Sequence, residues 1–117
     1  MDEYYRICGK PIMVPDYACT FFTPATKKTH WHQLKTEQDA SRAYKDFLSE
    51  AFRTAYIVGI HRCGLQTWYK PAQRRWRQGI LDPSGQPYPL LAETVKRTNR
   101  GVIETAYEKL NESRRVD

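Results

Sequence analysis

Cysteine is scarce and oddly placed in this sequence: Cys8, Cys19 and Cys63 are three, widely spaced, with no CxxC pair. That excludes a disulfide framework and a zinc ribbon, and it reads as reduced thiols in a cytosol-like compartment. Long apolar runs are missing too. The longest, "AYIVGI", is far too short to span a membrane. The opening "MDEYY" is acidic where a secretory signal begins basic and then turns apolar. The expectation is a soluble, cytoplasmic chain without a membrane partner. There is no internal repeat, no glycine-rich phosphate loop, and no nucleophile-elbow context around Ser41, Ser49 or Ser84.

The most telling absence is of acid. Six of the nineteen Lys and Arg lie between Ala51 and Leu81 (Arg53, Arg62, Lys70, Arg74, Arg75, Arg77), and no Asp or Glu lies there. The other thirteen cations match the thirteen acids, so this segment carries the whole formal excess of +6. A second acid-free stretch, Ala18 to Thr36, holds Lys27, Lys28 and Lys35. Localised positive charge suits a polyanion or an acidic protein face. Without paired carboxylates in the basic segment, a two-metal nuclease centred there is disfavoured.

What is present fits one domain spanning residues 1–117, large enough for a single modest core. The predicted fold class is α+β: a short N-terminal β hairpin or meander, then two long amphipathic helices with a short basic helix between them. "EYYRIC" and "DYACTFFT" read as strands of a β unit over 1–22, with Pro11, Pro15 and Pro24 limiting any ladder to short pieces or an edge. A polar connection follows over 23–35. Thr36 opens a helix assigned to 36–63, with Glu37 and Asp39 in its first turn. Ala40, Tyr44, Phe47, Leu48, Ala51, Phe52, Ala55 and Val58 make its apolar stripe, while Ile57 and Ile60 fall outside it. "LDPSGQPYP" makes 79–88 a loop. Pro89 begins a helix over 89–112 whose inner face is Leu91, Val95, Val102, Ala106 and Leu110, followed by a frayed tail at 113–117. Glu93 with Arg97 and Arg100 with Glu104 neutralise its outer side.

"KPAQRRWRQG" lies between the long helices. Pro71 at a first helical position and Gly79 as a cap favour a two-turn helix over 71–78. At about 100° per residue, Arg74, Arg75 and Arg77 then fan across one side and Trp76 points inward. A strand would instead set Arg74 beside Trp76 on one face and Arg75 beside Arg77 on the other. Either way the guanidiniums suit phosphate oxygens, which arginine binds in a planar fork. Trp68 and Tyr69 just before them either close the core or stack on unpaired bases.

"HWH" sets His30 and His32 on one side if extended, and "HRC" pairs His61 with Cys63. A zinc site from these four is disfavoured, because residues two apart at a helix end diverge by about 200°. The function that follows is non-enzymatic nucleic-acid binding, to DNA or RNA, through Arg62, Lys70, Arg74, Arg75, Arg77, Trp68, Tyr69, Lys27 and Lys28, with no cofactor and no metal. The alternative is a regulator, inhibitor or accessory subunit docking its basic aromatic face on an acidic partner. A small metal-independent ribonuclease using His30 and His32 is the third class.

Overall fold

In the computed structural model, which describes residues 2–114 (the side chains of 109, 110 and 112–114 excepted), the first expected strand is a helix. Asp2–Cys8 form α1, with Asp2 and Glu3 in its first turn and Arg6 in its last, as the helix dipole favours. Gly9 ends it at φ 60, its N–H reaching the Tyr5 carbonyl at 2.8 Å. Tyr5 stacks on Tyr56 at 4.4 Å, and the Tyr56 hydroxyl donates to Asp2. Dipole, cap and this docking outweigh the β propensity of "EYYRIC".

The next strands are real but pair differently. β1 (Ile12–Tyr17) and β2 (Thr20–Phe21) do not form a hairpin or meander. β2 runs parallel to β3 (Gln33–Leu34). β1 runs parallel to a strand the sequence reading placed inside a helix. The helix opened by Thr36 is α2, Glu37–Ala51, with the Thr36 hydroxyl accepting from the Asp39 N–H at 3.1 Å. Its predicted stripe is buried at Ala40, Tyr44, Leu48 and Ala51. It stops twelve residues short of the predicted end, because the β-branched run "IVGIHR" forms β4 (Ile57–Arg62). Ile57 and Ile60 miss the helical stripe because they obey a different period. α2 is thus the crossover that two parallel strands require. The register joins Ile12 to Ile57, Met13 to Gly59, Val14 to Ile60 and Tyr17 to Arg62.

The basic helix at 71–78 is likewise overturned. β5 (Trp68–Lys70) and β6 (Arg75–Arg77) form an antiparallel hairpin, closed by one 3-10 turn at Pro71–Gln73 and by Arg74 in the left-handed region at φ 49. Pro71 opens that turn rather than a helix. Gly79 is no cap: a Cβ there would overlap the Leu65 carbonyl, so it marks a close approach of two backbones. The last helix, α3 (Pro89–Arg114), matches its prediction at the start and absorbs 113 and 114; 115–117 lie outside the described residues. The corrected architecture, among the described residues, is an α+β mix of three α-helices and three two-stranded sheets, with strands between the two long helices.

The core lies where α2, α3 and β2 meet: Cys19, Phe21, Ala40, Tyr44, Leu48, Leu91 and Val95. Tyr17 and Ile60 press on it from β1 and β4, so the helices cover one face of that sheet. Glu37 ties the helix starts together, accepting from the Leu91 N–H at 2.9 Å. Away from the helices, Met13 lies against Gly59, and Met13 and Val58 are each 62% exposed. Among the described residues no helix is long and apolar enough to cross a membrane.

Candidate functional site

Parallel strands bind ligands at their C-terminal ends, where loops converge and no pairing closes the surface. Here those ends are Tyr17 on β1 and Arg62 on β4. Between Val14 and Tyr17, β1 spends one more residue than β4 spends from Ile60 to Arg62, a bulge at Pro15–Asp16. Bulges re-aim side chains, and this one leaves Asp16 exposed beside the Cys63 thiol. His61 Nδ1 lies 3.0 Å from the Pro15 carbonyl, and the Cys63 N–H donates to the Tyr17 carbonyl at 3.1 Å. His61 and Cys63 belong to the end of a strand, not of a helix, yet no group of three potential metal ligands assembles among the described residues.

Arg62 turns inward. Its Nη1 donates to the Gly64 carbonyl at 3.0 Å, while Nε and Nη2 are buried with no acceptor among the described residues. Burial holds its pKa below the usual arginine value, against the opposing charge interactions with Tyr44, Cys19, Cys63 and Tyr17. Burial likewise pushes the Cys19 and Tyr44 pKa values up. Cys63 is raised as well, by desolvation first and then by Asp16.

The other predicted cations gather on the hairpin. Opposite residues across an antiparallel pair share a face, so Trp68 with Arg77 and Lys70 with Arg75 form one side, and Tyr69 with Trp76 the other. Trp76 is half-buried against Tyr69, their ring centroids 5.3 Å apart. The far edge of β6 pairs with the polar connection: the Trp76 N–H donates to the Lys28 carbonyl and the His30 N–H to the Trp76 carbonyl, both at 2.9 Å. Lys27 and Lys28 are exposed beside the hairpin, and Arg74 is exposed at its turn.

Arg77 is the centre of this arrangement. Its guanidinium lies 5.5 Å from the Trp31 ring centroid and 5.9 Å from that of Trp68. Its Nη1 is 3.9 Å from Cys63 Sγ, and its Nε is buried without an acceptor among the described residues. Cation–π attraction is thereby shared between two rings. The salt bridges among the described residues are Arg53–Glu50 and Arg97–Glu93, so Lys70, Arg74, Arg75 and Arg77 carry none. Arg53 leaves the patch, neutralised by its own neighbour.

Gln78 holds the site to the core. It is fully buried, accepting from the Phe21 N–H at 2.7 Å and donating to Thr26 Oγ1 at 3.4 Å. Sequence reasoning missed Trp31 and Asp16. "HWH" drew attention to its histidines, yet the tryptophan between them reaches Arg77, while His30 packs edge-on against Trp31 and His32 is exposed.

No protein-family model matches the chain, and no curated relative does. Its fold is nonetheless shared with part of several larger solved structures. An exo-beta-agarase superimposes with a TM-score of 0.75 at 16% identity, over 87% of this chain and 14% of that one. PfGH50B gives 0.74 at 16% identity, over 89% and 16%. A Bifidobacterium dentium beta-glucuronidase complexed with coumarin-3-O-glucuronide gives 0.61 at 16% identity, over 83% and 16%. The likeness is one of fold alone: an α+β unit that recurs within these larger chains, of which this chain spans about a sixth or less.

Proposed function

We propose that the chain binds an anionic carbohydrate, a uronate-bearing oligosaccharide, on the face formed by Trp31, Trp68, Lys70, Arg75 and Arg77. The observation that supports this most is the Arg77 guanidinium held over two indole rings with no carboxylate paired to it. Indole faces offer flat apolar surfaces for the C–H faces of sugar rings. A guanidinium offers the planar fork that a sugar carboxylate fits. The site lies near the C-terminal ends of β1 and β4, and the fold is that of part of agarases and of a beta-glucuronidase described with a glucuronide bound. Glycoside hydrolysis by the usual route requires two carboxylates flanking the bond. The residues of the face include no carboxylate and Asp16, beside Cys63, is a single one, so the proposed role is binding.

The test is a titration with tri- to hexa-glucuronate against a neutral agaro-oligosaccharide of equal length, read by tryptophan fluorescence. Saturable quenching by the uronate, about tenfold weaker for the neutral sugar and about tenfold weaker in Arg77→Gln, is the expected result. Equal affinity for both sugars overturns the assignment.

A second reading keeps the same surface but takes a nucleic-acid backbone, and the strand-like pairing of Lys28–His30 with β6 favours it by adding Lys27 and Lys28 to Arg74 and Arg75. Single-stranded RNA and DNA in the same assay distinguish the two. A log–log salt slope of roughly −3 to −5, at about 0.7–0.9 per neutralised phosphate, together with silence toward glucuronate, selects the nucleic acid.

A further inference from the structure

We infer that the β1–β4 sheet is a docking surface for a larger α/β polypeptide, which adds parallel strands along both of its edges and covers the face carrying Met13. This stands apart from the ligand proposed above. Purely parallel sheets are found with both faces covered, yet here the helices cover one face and the other exposes Met13 and Val58 at 62% each. Each strand also keeps one edge unpaired among the described residues. Unpaired edges are templates for further strands.

Magnitudes agree. The chain exposes 8353 Å², whereas a compact monomer of 13.8 kDa exposes roughly 6,600 Å² by size scaling. Its radius of gyration is 16.5 Å, against about 13 Å for a compact domain of this length. The far half of α3, with Ile103 and Tyr107 exposed, accounts for part of that excess. The excess is roughly 1,700 Å², part of it from α3, against about 800 Å² that one partner buries in a standard interface. A twofold contact between two copies covers one edge and leaves the other open, so a second copy is too little. In six solved structures the same fold unit is only 14–17% of a longer chain, which is the ground for taking a larger polypeptide as the occupant.

The probe is the exo-beta-agarase chain with its matched segment removed, mixed with this chain and followed by sedimentation velocity; the enzyme's own excised segment sets the reference signal. A 1:1 complex that Met13→Asp and Val58→Asp weaken at least tenfold is the expected result. Both residues are exposed, and circular dichroism of the variants checks that each still folds. Binding by the reference segment but not by this chain overturns the inference. So does self-association of this chain through Met13 and Val58. A covalent graft, with this chain replacing the matched segment, decides where neither piece rebinds. In that graft, exchange protection of β1 and β4 amides that are unprotected in the free chain upholds the inference, and amides that stay unprotected overturn it.

Discussion

Gly79 and Gln78 show how much single side chains decide. The backbone of Gly79 runs so close to that of Leu65 and Gln66 that no side chain fits. Gly79→Ala is therefore expected to destabilise by about 3 kcal/mol or more, since the obstacle is backbone and cannot rotate away; urea unfolding measures it. Gln78→Leu keeps the volume but leaves the Phe21 N–H without its acceptor. A buried unsatisfied donor costs about 1–3 kcal/mol, so the urea midpoint should fall without a change in slope. Asp82 shows a pH-dependent contribution: one carboxylate oxygen accepts from the Ser84 N–H, the Ser84 hydroxyl and the Gln86 N–H at 2.7–2.9 Å. The Ser84 hydroxyl bond contributes most to holding its pKa below the ordinary value, with the backbone N–H bonds adding to it. A depressed folded pKa means stability that is complete above the unfolded value of about 3.9 and lost as pH falls through the folded one. The difference in urea midpoint between the protein and Asp82→Asn should accordingly be present at neutral pH and close in acid below about pH 4.

At the scale of elements, the β5–β6 hairpin balances strain against pairing. Arg74 sits at φ 49, where a side chain costs about 1–2 kcal/mol. Arg74→Gly relieves that strain against a smaller entropic cost, for a net gain of about 0.5–1 kcal/mol in thermal unfolding. It also removes one exposed cation, so unchanged glucuronate affinity with weakened nucleic-acid affinity separates the two proposed ligands. The hairpin was legible in the sequence only as an alternative. Pro71 and Gly79 bracket "AQRRWRQ" as they would a short helix, and the pairing that overrides them comes from Trp68–Lys70 on one side and Lys28–His30 on the other. Local sequence does not encode such neighbours. The start of α2 was legible because Thr36 and its stripe act within a few residues. Its end was not, although Ile57 and Ile60 had already broken the helical period. Charge was legible to the residue, but its direction was not: Arg62 points into the protein and Arg77 lies half-buried against two tryptophans, a difference set by tertiary packing.

The molecule as a whole has one core and a site attached to its margin. Leu91 is completely buried among residues of α2, α3 and β2, and Leu91→Ala should lower global stability by about 2–5 kcal/mol. The hairpin contributes no buried apolar side chain: Trp68 and Tyr69 are 47% and 44% exposed, and Arg75, Trp76 and Arg77 are half-buried. It is held chiefly by hydrogen bonds, from the Phe21 N–H to Gln78, from the Trp76 N–H to the Lys28 carbonyl and from the Thr67 N–H to the Leu81 carbonyl. Segments fastened in this way open locally at a free energy below the global one. Native-state amide exchange should then divide in two. Leu91→Ala is expected to accelerate exchange throughout α2 and α3 while leaving the β5 and β6 amides at their original rates. Equal acceleration everywhere would mean that the hairpin opens only with the core. With independent opening, a ligand spanning Trp31, Trp68 and Arg77 also bridges the polar connection to the hairpin. It should slow exchange at β5 and β6 even where it leaves the helices untouched.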